Sequence, residues 1–125
     1  IDNGKKIYPI LDLETADYFS RPLPEQYDTV ICSGALNSNF GTVKENLEFR
    51  KKAIKTMFDH TTGVAAFNML GGHPAPNNDK DDTNIWYSDS MEILEYCMSL
   101  TRRVILRHHY HPSDFTIFMY KVKQK

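Results

Sequence analysis

Apolar positions in this chain fall into short blocks, and their spacing changes from block to block. Lys6–Leu11 (KIYPIL) is a brief apolar run closed by Asp12, and Pro9 marks it as a short or edge-like strand. Thr15–Phe19 has room for one helical turn before the breaker Arg21-Pro22-Leu23-Pro24. Tyr27–Cys32 (YDTVIC) is rich in β-branched residues and reads as a buried strand that stops at Ser33-Gly34. Thr42-Val43-Lys44-Glu45 fits a capping box, in which the threonine hydroxyl and the glutamate satisfy the first free amides of a helix. Val43, Leu47, Ile54, Met57 and Phe58 then form an amphipathic stripe, and the helix should stop near Asp59-His60, with Gly63 beyond. Val64–Leu70 (VAAFNML) shows little alternation, as expected of a strand covered on both faces.

The segment from Gly71 to Asn84 is dense in Gly, Pro, Asn and Asp, and predicts a loop. Asp89–Leu100 predicts a second helix with Asp89 as its cap and Met91, Leu94 and Met98 on its buried face. Arg103–Leu106 leads into a strand, and the turn His111-Pro112-Ser113-Asp114 sends Phe115–Val122 (FTIFMYKV) back beside it. That last strand is apolar on both alternating sets of positions, so it belongs inside a sheet rather than at its rim. Strands that alternate with crossover helices imply an α/β fold: a parallel, three-layer sheet closed by an antiparallel hairpin.

Composition narrows the function classes. With 125 residues the chain can form one core of ordinary size, so residues 1–125 read as one domain or part of one. A hydrophobic fraction of 41% rules out a disordered chain. Lys plus Arg total 15 against 16 Asp plus Glu, a net charge of -1, which offers no field for nucleic acid or a membrane surface. Cys32 and Cys97 lie far apart within apolar runs and read as reduced, buried thiols of a cytoplasmic protein. No run is long enough to span a membrane, and the first residues lack the pattern of a targeting peptide. A start at Ile1 rather than Met points to a processed product, a fragment, or a description that begins late.

Several segments together resemble the carboxyl-terminal half of the Rossmann-like domain of class I S-adenosylmethionine-dependent methyltransferases. Tyr27-Asp28-Thr29-Val30-Ile31-Cys32-Ser33-Gly34-Ala35-Leu36-Asn37 resembles the fourth strand of that fold, with its aromatic-Asp opening and its small-residue turn beside the cofactor. Gly63–Leu70 is similar to the fifth strand, and His109–Ile117 to the closing hairpin of one bacterial and phage-type subgroup, which Tyr87-Ser88-Asp89 also fits. The resemblance implies that S-adenosylmethionine is the cofactor. It would place Asp12 on the adenine amino group, the Leu13 backbone on the ring edge, and Ser33, Gly34 and Ala35 against the methionine moiety or the transferable methyl. Ligands of open α/β sheets bind outside the carboxyl ends of the strands, which suits both groups. Asp12 as a turn residue and Ser33-Gly34 as a plain strand end are the alternatives.

The departure from that family is a missing anchor. The glycine-rich loop and the ribose-binding acid should precede Lys6, and Ile1-Asp2-Asn3-Gly4 is too short to supply them. Gly71-Gly72 follows a late strand and opens a loop, so it is no substitute. The domain therefore reads as truncated at its amino-terminal side, to be completed by its other half or by another chain. Methyl transfer draws on alignment of donor and acceptor more than on acid–base groups. Of the candidates for a base, Asn37, Asn68, His73 and Tyr87, the loop residue His73 suits best. The acceptor is unidentified. Ser33–Asn37 stands where methyltransferases of nucleic-acid amino groups carry an Asn/Asp-Pro-Pro-aromatic motif, which disfavours base methylation.

His108-His109-Tyr110-His111 raises a metal hypothesis, but no second cluster has ligand spacing, and strand-end histidines explain it better. Lys121, Lys123 and Lys125 read as a solvated strand end, and Cys32, within an apolar strand, is a poor nucleophile. Beside the enzyme stands a second class of function: a cofactor-free, methyltransferase-like module with a structural or interaction role.

Overall fold

Thr42 caps the long helix, with the hydroxyl half of the expected capping box formed and the Glu45 carboxylate bonded to that hydroxyl. The threonine hydroxyl accepts from the Glu45 amide at 3.1 Å and donates to the Glu45 carboxylate at 3.1 Å. The computed structural model describes residues 2–11, 13, 18, 19, 25–78 and 84–121. Along these run α1 (Asp2–Ile7), β1 (Tyr27–Cys32), α2 (Val43–Asp59), β2 (Thr61–Gly72), β3 (Ser88–Asp89), α3 (Ser90–Leu100), β4 (Val104–Arg107) and β5 (Asp114–Tyr120).

The sheet is mixed and open, with the order β1-β2-β5-β4 and β3 paired to the end of β2. β1 and β2 are parallel, while β5 runs antiparallel to both β2 and β4. The closing strand thus lies inside the sheet, as its two-sided apolar pattern predicts. Alternation sorts the side chains by face. Val30, Ala65, Met119 and Val104 stand in register on one face, with Cys32, Phe67, Ile117 and Leu106 in the next row. These rows meet Ala53, Ile54 and Met57 of α2 and Ile93 and Cys97 of α3 in a single core.

Both long helices therefore cover the same face, and the expected third layer is missing among the described residues. Topology gives the reason. The crossovers from β1 to β2 and from β2 to β4 step the same way across the sheet, and right-handed crossovers in one direction place their helices on one side. On the other face Ile31, Ala66, Phe118 and Ile105 stand side by side in register. Ile31 at one end of this row is 74% exposed and Ile105 at the other 43%.

Two local expectations need correction. Lys6–Leu11 is not a strand: α1 occupies Asp2–Ile7, and a turn follows in which the Leu11 amide donates to the Tyr8 carbonyl at 3.1 Å. Pro9 denies that run a ladder amide, and two basic residues, Lys5 and Lys6, favour the carboxyl end of a helix. In α3 the buried side is Ser90, Ile93 and Cys97, whereas Met91 and Met98 face water. That helix is apolar on two sides, so periodicity alone could not choose between them. The expected turn at Thr15–Phe19 lies largely outside the described residues.

The unexpected feature of the core is Arg50, which is fully buried. Its Nε donates to the Ser88 hydroxyl at 3.1 Å. One terminal nitrogen donates to the Asn46 carbonyl at 3.4 Å and the Asn46 side-chain oxygen at 3.3 Å. The other donates to the carbonyls of Ser38 at 2.9 Å and Trp86 at 3.3 Å. All five donors of the guanidinium are thereby used. Asn46, also buried, accepts from the Phe40 amide at 2.8 Å and donates to the Thr42 carbonyl at 3.0 Å, so it fixes the loop that enters α2.

Burial draws the Arg50 pKa down to about 10, and the side chain remains a cation at neutral pH. Asp89 and Glu92 line a cavity of about 160 Å³ that Arg50 also lines, which places two carboxylates near the charge without direct pairing among the described residues. Replacing Arg50 with Met leaves buried acceptors without donors and should cost about 3–5 kcal/mol in urea unfolding. Arg50→Lys should recover only part of that loss, because an ammonium cannot span the same fork of acceptors.

Candidate functional site

Because β4 and β2 are both antiparallel to β5, they run parallel to each other and to β1. The carboxyl ends of all three strands therefore share one edge, the edge at which open α/β sheets bind ligands. Ser33, Gly34 and Ala35 leave the end of β1 there. Gly34 has a φ of +73°, a left-handed conformation that glycine adopts without a side-chain clash.

Asn68 of β2 holds this turn. Its side-chain oxygen accepts from the Gly34 amide at 2.8 Å, and its amide nitrogen donates to the Ser33 hydroxyl at 3.3 Å. Two cavities flank the turn. One, of about 180 Å³, is lined by Ile31, Cys32, Ser33, Asn68 and Thr116 among others. The second, of about 290 Å³, lies toward the core and is lined by Tyr18, Phe19, Val30, Cys32, Ala35 and Met57 among others. Both fall short of the roughly 300–1,000 Å³ typical of a complete small-molecule site. The Gly34 amide is already committed to Asn68. Neither cavity alone is large enough for a whole nucleoside-sized ligand.

β2 leaves the sheet at Gly71, which has a φ of +154° and pairs with Ser88. A methyl group there would run into the Ser88 carbonyl, so this passage between β2 and β3 requires glycine. His73 follows, outside the strand. Its Nδ1 lies 3.1 Å from Asp89 Oδ1, and the same oxygen caps α3 by accepting from the Met91 amide at 2.9 Å. An Nδ1 that donates to the carboxylate leaves Nε2 as the free acceptor of the ring.

The structure brings Ser33, Gly34 and Ala35 together and leaves His73 apart from them. Neither cavity beside the turn is lined by His73. His73 lies five residues beyond Asn68, up to roughly 16 Å of extended chain. Asp12 lies outside the described residues, and Leu13 is half-buried. The adenine-binding role expected of both depended on a strand ending at Leu11. A helix and turn stand there instead, so the expected crevice between two strand ends is replaced by the single turn at Ser33–Ala35.

The other candidate bases have structural duties. Asn37 accepts from the Leu70 amide at 2.9 Å, and Tyr87 is held through its backbone by Asn78. Burial raises the Cys32 thiol above its ordinary range and the Cys97 thiol to about 12, so neither is an activated nucleophile at neutral pH. Among the described residues no cluster of three His, Cys, Asp or Glu side chains has metal-binding geometry, and His111 accepts from the Ser113 amide at 3.0 Å. No helix among them is long and apolar enough to cross a membrane.

One group near this edge was given no role by the sequence. Tyr110, in the connection between β4 and β5, donates to Asp114 at 3.1 Å and shares a 2.8 Å hydrogen bond with Thr116, which pairs with Asn68 of β2.

Replacing Asn68 with Ala removes both ties to the turn. The Gly34 amide should then exchange with deuterium faster, at a stability cost of about 1–2 kcal/mol. An unchanged Gly34 exchange rate would show that the turn holds itself.

Comparison of the chain with protein-family models, with curated proteins and with solved structures finds no match in any of the three.

Proposed function

We propose that this chain forms the carboxyl-terminal half of a class I S-adenosylmethionine-dependent methyltransferase domain and receives one end of the cofactor at Ser33–Ala35. The observation that carries this reading is the strand order. A reversed strand, β5, is inserted between two strands parallel to β1, the arrangement that the resemblance of the later segments implies. The turn at Ser33–Ala35 adds support, since it lies at the carboxyl edge and is braced by Asn68. The bound cofactor supplies a methyl group already activated by its sulfonium. The chain's residues then have to position rather than activate. Ser33 and Ala35 line the wall, and the half-buried thiol of Cys32 stays neutral beside it.

His73, oriented by Asp89, is the residue best placed to take a proton from an acceptor that needs deprotonation. Such an acceptor would have to extend along the carboxyl edge from Ser33 toward α3. The remaining cofactor anchors must come from residues outside those described here. A second reading, a cofactor-free interaction module, is favoured by the two exposed apolar ends of the open sheet face, Ile31 and Ile105.

Titration with S-adenosylhomocysteine, followed by amide chemical shifts, separates the two. The methyltransferase reading predicts saturable shifts at Ser33, Gly34, Ala35 and Asn68 at millimolar ligand. No saturable change at these residues would remove it and leave the interaction module.

A further inference from the structure

The outer cavity beside the Ser33 turn, of about 180 Å³, has a wall whose hydrogen-bonding directions are fixed by its neighbours. Asn68 and Thr116 stand opposite each other on β2 and β5, and Ser33 bonds to Asn68 from the end of β1. The Gly34 amide has only a hydrogen to offer, so the Asn68 oxygen faces it at 2.8 Å and the Asn68 nitrogen faces Ser33. One hydrogen of that nitrogen goes to the Ser33 hydroxyl. Its second hydrogen, and the hydroxyl hydrogen of Ser33, have no partner among the described residues. Thr116 is fixed from behind. Asp114, as a carboxylate, only accepts, and the single proton of the Tyr110 hydroxyl goes to it at 3.1 Å. The 2.8 Å bond between Tyr110 and Thr116 then has one direction left, in which Thr116 donates. Burial raises the Tyr110 phenol above its ordinary range, which keeps that proton in place at neutral pH. Thr116 therefore shows the cavity lone pairs alone.

We propose that this wall binds a neutral carboxamide head, whose oxygen accepts from Asn68 and Ser33 and whose N–H donates to Thr116. Directly opposed residues of an antiparallel pair hold their Cβ atoms about 5 Å apart, within reach of the two adjacent polar atoms of one amide. A carboxylate finds no donor at Thr116, and an ammonium meets N–H and O–H donors at Asn68 and Ser33. Charge does not override this pattern, because the two charged neighbours of Thr116, Arg107 in register on β4 and Asp114 on its own strand, are of opposite sign. The apolar remainder of such a ligand rests on Ile31 and Ala66, which line the same cavity. Calling this head part of the methyl acceptor rests on the reading proposed above, whereas its binding needs no cofactor.

Titration of the full chain with propionamide and with its N,N-dimethyl form, followed by amide chemical shifts and without S-adenosylhomocysteine, tests this. The two probes share a carbonyl and differ in their N–H donors. Propionamide should shift Asn68 and Thr116 saturably at millimolar concentration and bind about fivefold more tightly than the dimethyl form. Tyr110→Phe releases the Thr116 hydroxyl to donate as well as accept, so the preference should disappear. Thr116→Ser should keep it. Tyr110 is exposed and Thr116 half-buried, and circular dichroism checks the fold of each variant. Equal affinity for the two probes overturns the proposal, as does the absence of a saturable shift with propionamide. A preference that survives in Tyr110→Phe overturns it too, because it would report the bulk of the methyl groups and not the direction of a bond. Propionamide binding without any response to S-adenosylhomocysteine keeps this site and removes the methyltransferase reading. The reverse result keeps that reading and removes the site.

Discussion

The constraint on which the described structure depends is the burial of one cation, Arg50. Taking a guanidinium out of water is costly, and an interior tolerates it only when every donor is met. Five acceptors from four residues meet them here: Ser38, Asn46, Trp86 and Ser88. These residues come from three stretches of chain that no hydrophobic pattern brings together. Ser38 follows the turn after β1, Asn46 lies one helical turn before Arg50, and Trp86 and Ser88 lead into α3. One side chain thus fixes where the segment after β1 lies against the segment that starts α3. The isolated bridge between Ser38 and Ile85, and the bond from the Trp86 amide to the Asn37 carbonyl at 2.9 Å, lie within the same junction.

That junction also sets the carboxyl edge. Asn37 is held against Leu70, and Asn68 against Gly34. Ser88, which accepts from Arg50, pairs with Gly71 where β2 leaves the sheet. Asp89, the next residue, orients His73. The turn at Ser33–Ala35 and the His73–Asp89 pair therefore sit on either side of a buried polar network, and the network rather than direct contact relates them. A fully satisfied network of this kind specifies one arrangement, because any other leaves a buried donor or acceptor without a partner.

Much of this was legible in the sequence where a pattern has only one physical solution. The Thr42 hydroxyl of the expected capping box starts α2, Asp89 caps α3, and the two-sided apolar run of Phe115–Tyr120 places β5 inside the sheet. Patterns with two solutions misled. Lys6–Leu11 is apolar enough for a strand, but its proline and its preceding lysines fit a helix end and a turn. The methionine stripe of α3 is as periodic as the true core side, and only the position of the sheet decides between them. Arg50 did leave a signal: counting in helical steps from Leu47 to Ile54 puts it on the apolar stripe, where a charge must be either an error or an anchor. The site was legible as a turn of small residues at a strand end. Its bracing by Asn68 was not, because that tie joins residues 34 and 35 positions apart in the chain.

The most direct measurement of the buried-cation constraint is the exchange of the Arg50 guanidinium protons with water, followed by nitrogen-resolved NMR at neutral pH. If all five donors are held in the interior, the Arg50 Nε proton exchanges far more slowly than those of the exposed Arg102 and Arg103, and the two terminal nitrogens give separate, slowly rotating signals. Exchange as fast as at those surface arginines, with a freely rotating guanidinium, would contradict the role given to Arg50.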